Sequence, residues 1–394
     1  MANTLGVYKP IFYAQEALKQ LKNVMGMASR VHRGFEAERK SFDKGDTISI
    51  RRPANFTVAD APATAEDITT ETVSISLNQW KEVKFKLSDK ELAWSDEKII
   101  AEHVTPAAVA IADNIDNALL ALTDTEIGVQ YAQASPTPAG IAIADILGAR
   151  GRLFDNGVPM QDGQLHLCID GAAEQTLLGL SAFTQHQGAG LEGVEAQRRG
   201  SLGTKYGIEI FANQNAGGLT YTSGTAGRAA GDSALAVNNS GGYSPGSTTI
   251  VCDGGTGVET VLAGDQITFA GHSAHYTAAA TGTVASGDIT LTLAEGLIKS
   301  VADDEVVTVL GGETDETDPL IMFHKNAFAL AMAPLPTMAR ELGAKVETVV
   351  DEDTGLSIRG RVYYVGNSSE VHVALDVLYG VKVLNSMYAC KLLR

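Results

Sequence analysis

An adjacent histidine and lysine, His324 and Lys325, stand inside the otherwise apolar run FHKNAFALAMAPL at residues 323–335. An imidazole can transfer protons near neutral pH, and a lysine amine becomes a nucleophile when its surroundings suppress its charge. The chain contains no G-x-S-x-G, no H-E-x-x-H and no catalytic cysteine context to accompany the pair. The run is more typical of a buried strand, with His324 and Lys325 at its edge or directed to an interface.

A second pair of imidazoles, His272 and His275, has the H-x-x-H spacing of some metal ligands in the segment HSAH. Zinc requires three or four ligands and a supporting second layer of hydrogen bonds. No cysteine or glutamate cluster lies close in sequence to supply them. We therefore predict an exposed turn here.

Two loops imitate ligand-binding motifs incompletely. The segment GGTGVET (254–260) looks like a phosphate-binding loop but lacks the following Lys-Ser/Thr, and DEDTGLS (351–357) starts like a calcium loop but lacks its sixth-position glycine and final glutamate. Both segments are predicted to be turns, the second within a hairpin. We predict no catalytic, cofactor-binding or metal-binding residues, and no cofactor.

The composition sets the broad class of protein. At 394 residues the chain exceeds the roughly 250–300 residues at which one core stops growing, which predicts two or more subdomains. Its 41 glycines favour sheets, turns and close backbone contacts. No apolar run reaches the ~18–20 residues of a membrane span, and the N-terminus lacks the features of a signal peptide. The three separated cysteines, Cys168, Cys252 and Cys390, predict reduced intracellular thiols.

The charge is strongly negative and unevenly distributed. The formal net charge of −17 argues against nucleic acid as a specific partner, because phosphate binding needs clustered lysines and arginines. Residues 1–52 nevertheless carry ten basic and five acidic side chains, whereas residues 221–320 carry two basic and thirteen acidic ones. Solubility charge on different faces, or the two sides of a larger assembly, would both explain this asymmetry.

The hydrophobic periodicity predicts helices and strands that alternate along the first half. Amphipathic helices are predicted at 11–31 and 103–124, and another starts at Thr137-Pro138 and ends at the DNG turn. Alternating apolar residues in TVSISLNQWKEVKFKLSD (72–89) predict a long two-stranded arm. Isolated hairpins are marginally stable, so this arm should lie on something else, which is the first indication of a partner chain.

Residues 217–318 differ in amino-acid composition from the rest of the chain. They are rich in Gly, Thr and Ser, and the short β-prone runs TTIVC, DQITF, DITLTL and DEVVTVL are separated by glycine-containing turns. This pattern predicts a small all-β module inserted into a parent domain.

Four segments in order resemble the major capsid (coat) proteins of tailed bacteriophages, and in particular the Salmonella phage P-twenty-two type with an inserted domain. They are GARGRLFDNGVPMQDGQLHLCID, RRGSLGTKYGIEIFANQN, VLAGDQITFAG, and FHKNAFALAMAPL together with DVLYGVKVLNSMYACKLLR. The resemblance implies an α+β, Hong Kong 97-like phage capsid fold with an inserted small all-β domain. Its expected parts are an N-terminal arm (1–45), an extended β-loop (46–90), the peripheral domain with spine helix and the start of the axial domain (91–216), the insertion (217–318), and the rest of the axial and peripheral domains (319–394).

The implied function is a major capsid protein that self-assembles as pentamers and hexamers into the icosahedral shell of a double-stranded DNA phage. The implied partners are other copies of the chain, a scaffolding protein, a portal and possibly a decoration protein, with non-specific contact to packaged DNA and none to membranes. The implied location is the virion, after synthesis in the bacterial host cytoplasm. The alternative is a phage decoration or tail protein, or a surface adhesin, with a glycan-binding β-domain; an enzyme is disfavoured.

Overall fold

The fold is described from a computed structural model of the chain. The described residues are 10–33, 47–51, 61, 72–88, 103–132, 141–184, 197–217, 220–221, 235–255, 260–310, 316–317, 320–337, 345–351, 356–365, 367 and 370–393. The predicted start of a helix at Thr137-Pro138, most of the GGTGVET turn, and residues 352–355 of the DEDTGLS turn lie outside the described residues.

The described residues contain helices α1 to α5 and strands β1 to β23. The helices are α1 Pro10–Val24, α2 Thr105–Glu126, α3 Ile143–Asp155, α4 Gly171–Gly179 and α5 Ser181–Thr184. Short 3₁₀ turns occupy Met27–Ser29, Gln214–Ala216, Lys325–Ala327 and Ser386–Tyr388.

The strands follow in chain order. The first twelve are β1 Thr47–Arg51, β2 Thr72–Ser76, β3 Gln79–Ser88, β4 Gln130–Ala132, β5 Leu165–Ile169, β6 Thr204–Lys205, β7 Ile208–Ala212, β8 Thr220–Tyr221, β9 Leu235–Val237, β10 Thr249–Asp253, β11 Thr260–Val261 and β12 Gln266–Phe269. The others are β13 Tyr276–Thr277, β14 Gly282–Thr283, β15 Ile289–Thr292, β16 Val306–Leu310, β17 Glu316–Thr317, β18 Leu320–His324, β19 Phe328–Ala333, β20 Lys345–Val350, β21 Ser357–Val365, β22 Glu370–Val383 and β23 Ala389–Leu393.

The chain divides into two compact units. The first comprises Met1–Met25, His32–Ile115 and Ala329–Lys382; the second comprises Gly26–Val31, Asp116–Phe328 and Val383–Arg394. The six residues Gly26–Val31, here called the strap, thus belong to the second unit although the chain on both sides of them belongs to the first.

A five-stranded sheet organises the first unit. Its strands run in the order β19-β22-β21-β20, and β3 pairs with β22 over ten residues. Helix α1 packs on β20 and β21 through its buried face, which consists of Tyr13, Ala14, Ala17, Leu18 and Leu21. The predicted amphipathic helix is therefore present, but it ends at Val24 instead of reaching residue 31.

The predicted two-stranded arm is wrong in its pairing. Strand β2 pairs with β1, with Ile48 opposite Ile75, whereas β3 pairs with β22. The sequence alternation identified both strands correctly, but alternation reports which face is buried and not which strand lies alongside. Strand β3 thus lies on its own chain, contrary to the expectation that the whole alternating run needs a partner.

The second unit contains a six-stranded mixed sheet in the order β4-β23-β18-β5-β7-β6. Strands β5 and β7 are parallel, and β18 lies antiparallel between β5 and β23. Helix α3 packs on β4 and β23, and the shared core contains Ile146, Ala149, Leu153, Leu165, Leu167, Leu177, Ile208, Met322 and Leu392.

Residues 235–310 form another six-stranded sheet in this unit, in the order β13-β12-β16-β9-β10-β15. The pairs between its neighbouring strands are antiparallel. Its core is built from Leu235, Val237, Ile250, Cys252, Ile267, Phe269, Tyr276, Ile289, Leu291, Val307 and Val309. The four β-prone runs predicted from sequence are confirmed as β10, β12, β15 and β16.

The run FHKNAFALAMAPL is two strands and not one. Strand β18 ends at His324, the 3₁₀ turn Lys325–Ala327 follows, and β19 starts at Phe328 in a different sheet. All residues of both strands are buried. The run is uniformly apolar on both sides of the turn because each strand is covered on both faces.

Gly380 on β22 allows a close approach of β2, which suggests a test. A Cβ at Gly380 would lie 2.3 Å from the carbonyl oxygen of Ser76, so Gly380→Ala should destabilise the subunit by roughly 1–3 kcal/mol. Gly151→Ala is the control, because a Cβ there meets no heavy atom within 4 Å and alanine favours the helix. Urea unfolding of both purified variants measures the difference, and equal stability would contradict the close approach.

Candidate functional site

His324 occupies the end of β18, and its two ring nitrogens are both engaged. The imidazole is 1% exposed, its Nδ1 accepts the backbone N–H of Asn326 at 3.2 Å, and its Nε2 lies 2.7 Å from Oδ2 of Asp162. Because Nδ1 accepts, the proton is on Nε2 and is donated to Asp162. Burial acts to raise the pKa of Asp162, but the hydrogen bonds from His324 and from the Gln164 backbone hold the pKa below its ordinary value. His324 therefore lies at the end of a buried strand, as expected, and caps the turn that follows.

A polar cleft of about 380 Å³ lies beside this turn, lined by Ser29, Arg30, Gly163, Gln164, His166, Glu209 and Lys325. Arg30 on the strap donates to Oε1 of Glu209 through Nη2 at 2.6 Å and through Nε at 3.1 Å. Its guanidinium also stacks over the ring of Phe211, 4.1 Å from the centroid. The Nδ1 of His166 lies 2.9 Å from Oε2 of the same Glu209. One carboxylate thus holds both the arginine and the histidine.

The pKa shifts in the cleft follow from these contacts. Burial, aided by the charge of Arg30, lowers the pKa of His166 despite the opposing effect of Glu209, so the ring is neutral at pH 7 and donates its Nδ1 proton to Glu209. Burial acts to raise the pKa of Glu209, but Arg30 and His166 outweigh it and the pKa lies below its ordinary value. The nearby Ser29 hydroxyl donates to the Gly26 carbonyl at 2.8 Å, so it is not held by a base as a nucleophile would be. The cleft has the chemistry of a structural ion pair.

Asp116 holds the strap to helix α2 and was not identified from the sequence. Its carboxylate is 3% exposed and accepts backbone N–H groups from Gly26 at 2.8 Å, Met27 at 3.3 Å and Ala28 at 2.8 Å. It also accepts Nδ2 of Asn213 at 3.0 Å. Burial raises the pKa of Asp116, and these donors act in the opposite direction. The sequence did contain a signal for this role. Asp116 lies one helical turn from both Ala112 and Leu120, on the helix face that the hydrophobic periodicity predicts to be buried.

The HSAH histidines do not form a metal pair. His275 is 6% exposed, so the predicted exposed turn is wrong at this residue. Its Nε2 lies 2.9 Å from Nη1 of Arg152, and its backbone N–H donates to Oδ1 of Asn156 at 2.8 Å. Burial, aided by the charge of Arg152, lowers the pKa of His275 to about 4, so the neutral ring accepts the arginine proton. His272 instead places Nδ1 3.1 Å from the Tyr276 hydroxyl.

Two further kinds of reactive group are buried in the second unit. Lys391 is 1% exposed, donates Nζ to the Asp124 carbonyl at 2.9 Å, and has its pKa lowered by burial to about 7. The three cysteines are free and buried, and burial raises the pKa of each thiol to about 12. Thiols in this state are inert.

Among the described residues, no group of three or more His, Cys, Asp or Glu side chains is placed to hold a metal ion. Nor is any described helix long and apolar enough to cross a membrane. The polar groups above serve mainly to join one element to another. The exposed faces of the described sheets are further candidates for function.

The β1–β2 hairpin is one such surface. Ile48 and Ile75, which face each other, are 5% and 0% exposed, so this face packs inward. The opposite face carries exposed hydroxyl side chains, namely Thr47, Ser49, Ser74 and Ser76. A hydroxyl-bearing ribbon can form hydrogen bonds to another chain but holds no group for chemistry.

Comparison with known proteins gives several distant structural likenesses and a family match. The chain shows similarity to solved structures of Mycobacterium phage Che8 (15% identity, TM-score 0.48, 93% of this chain and 90% of that chain). The chain is also similar to a capsid of cyanophage P-SCSP1u (12% identity, TM-score 0.42, 89% of this chain and 84% of that chain). It is similar as well to a virus-like particle from Pyrococcus furiosus (10% identity, TM-score 0.42, 96% of this chain and 96% of that chain). No curated protein matches. These likenesses are distant, and the assignment depends on the family match.

That match is to "P22 coat protein - gene protein 5" and extends over residues 7–389. It confirms the family resemblance seen in four sequence segments, and the described elements are α+β as expected. It also favours a shell protein over the decoration, tail or adhesin alternative. The chain belongs to the P22 coat protein family and is a major capsid protein that forms an icosahedral shell.

Proposed function

We propose that the chain assembles as pentamers and hexamers into a shell that encloses a double-stranded DNA phage genome. The family match over residues 7–389 is the observation that carries this proposal. Synthesis in the bacterial host cytoplasm precedes incorporation into the virion. The chain performs no catalysis in this role, a view supported by the mutual pairing of Arg30, His166 and Glu209 in the polar cleft.

The proposed partners are a scaffolding protein, a portal and a decoration protein, with non-specific contact to packaged DNA. The basic residues 1–52 suit transient contact with an acidic partner or with DNA, and the acidic residues 221–320 suit the outer surface. Arg30 contributes little to such contacts, because it is bound to Glu209. Exposed Lys19 on α1 remains a candidate.

We also propose the division into an N-terminal arm (1–45), an extended loop (46–90), a peripheral domain leading into the axial domain (91–216), an inserted β-domain (217–318) and a closing part (319–394). The separate sheet and core of residues 235–310 support the inserted domain.

Shell formation is tested directly by expressing the chain with and without a scaffolding partner and imaging the products. We expect closed particles of uniform size when scaffold is present, because the shell is built from copies of this chain. Negative-stain electron microscopy with analytical ultracentrifugation measures this. Small monodisperse subunits under every condition, scaffold included, would refute the proposal.

The extended loop is tested by deleting residues 54–70. Arg51 pairs with Thr72, so the deletion leaves a connection of three residues, Arg52, Pro53 and Glu71, which is a common hairpin loop length. The subunit should keep its melting temperature, yet closed shells should be lost because the loop no longer reaches a neighbouring copy. Shells of normal size from this variant would contradict the expectation.

The inserted domain is tested by expressing residues 217–318 alone. Their own sheet and core predict dispersed amide resonances and a cooperative melt. Ile250→Ala is the control: Ile250 is 0% exposed, and its truncation should remove about 2–5 kcal/mol and abolish the melt. A random-coil spectrum from the unmodified fragment would show that its boundaries are misplaced.

A further inference from the structure

One face of the first unit's sheet has an exposed tryptophan among paired charges. Strand registers put alternate residues of β3, β22 and β21 on this face. Its central members, here called the Trp80 face, are Trp80, Glu82, Lys84, Lys86, Arg359, Arg361, Tyr363, Glu370, His372 and Asp376.

The indole of Trp80 is exposed but held in position. Its side chain is 60% exposed, and its Nε1–H donates to Oδ2 of Asp376 at 3.1 Å. Asp376 is 0% exposed and is itself fixed by Arg359, whose Nε donates to Oδ1 at 3.0 Å and whose Nη2 donates to Oδ2. The polar atom of the indole is therefore satisfied, and the exposed remainder of the ring is apolar. A tryptophan with few degrees of freedom and a satisfied N–H is typical of a dominant contact residue.

The charges around Trp80 are paired on the same face. Arg361 Nη2 lies 2.8 Å from Glu82 Oε1, and Lys86 Nζ lies 2.6 Å from Glu370 Oε1. Lys84 Nζ lies 5.1 Å from the centroid of the Tyr363 ring. With Arg359 and Asp376 included, the face carries four basic and three acidic side chains.

The near balance of basic and acidic side chains on the Trp80 face indicates which partner can bind there. The whole chain carries a formal charge of −17, so two copies repel each other over most of their surface. A nearly neutral, slightly basic face is where a second acidic copy can approach with the least repulsion. Its acidic side chains and three of its four basic ones already form ion pairs, and the fourth basic residue, Lys84, lies over the Tyr363 ring. Few of its charges would therefore lack a partner when water is excluded.

We propose that the Trp80 face is a contact surface between two copies of this chain in the shell, with Trp80 as its anchor. The inference rests on the proposed assembly function and assigns a part of that function to a specific residue. The occupant is a second copy, because the shell is built from many copies of this chain.

The chain contains two tryptophans, so fluorescence can report on Trp80 alone. In the Trp94→Phe variant Trp80 is the sole tryptophan, and its emission is compared before and after scaffold-assisted assembly. We expect a blue shift and a fall of about half or more in acrylamide quenching, because the exposed ring becomes covered. Shells in which Trp80 emits and quenches as in the free subunit would overturn the proposal while leaving the assembly function intact.

A second experiment measures the subunit concentration at which shells form. Trp80→Ala should raise the subunit concentration needed for shell formation about tenfold or more. The melting temperature of the free subunit should fall only slightly, because Arg359 still holds Asp376. Tyr364→Ala is the matched control: Tyr364 is 55% exposed but belongs to the opposite face of the same sheet. Equal effects of the two substitutions would count against the proposal. If the unmodified chain forms no shells at all, the assembly function fails first and this inference falls with it.

Discussion

The buried carboxylate of Asp116 is the constraint on which much of the second unit depends. It takes up three backbone N–H groups of the strap and one amide of Asn213, which follows β7. An ionised carboxylate out of water is costly unless its oxygens are hydrogen-bonded, and four donors meet that demand. Helix α2, the strap and the end of β7 are consequently tied to one side chain. A Cβ on Gly26 would lie 2.7 Å from Nδ2 of Asn213, so a larger residue there would displace the asparagine from Asp116.

The same logic applies to the other buried polar groups. His275 joins the segment before β13 to Arg152 and Asn156 at the end of α3, and Lys391 joins β23 to the carbonyl of Asp124 in α2. In each case both partners come from elements far apart in sequence. Misplacing one element would therefore leave a buried polar group without a hydrogen-bond partner. These contacts select one arrangement of elements, as a subunit that must fit identical neighbours requires. They also give residue types suited to catalysis a structural role.

Much of the secondary structure could be predicted from the sequence, whereas several pairings and the polar joints could not. The periodicity of α2 and the short β-prone runs of β10, β12, β15 and β16 depend on nearby residues, so a local pattern suffices. The partner of β3 depends on β22, nearly three hundred residues later, and alternation contains no information about it. The turn at Lys325–Ala327 was missed because both flanking strands are fully buried, which removes the change in polarity that normally marks a turn. Arg30 was counted as a free basic residue because its partner, Glu209, is 179 positions away.

Electrostatics constrains how such a subunit can associate. At physiological salt the screening length is about 8 Å, so repulsion between acidic copies is felt mainly where their surfaces approach. The assembled state must therefore place balanced or basic surfaces at its contacts and leave the acidic surface facing solvent. The Trp80 face meets the first requirement, since its salt bridges are formed within one chain before any partner arrives. Contact there excludes water from charges that are mostly paired already, so the free energy gained comes mainly from the apolar ring of Trp80. Such a contact depends little on ionic strength, whereas contacts made by the basic residues 1–52 weaken as salt is added.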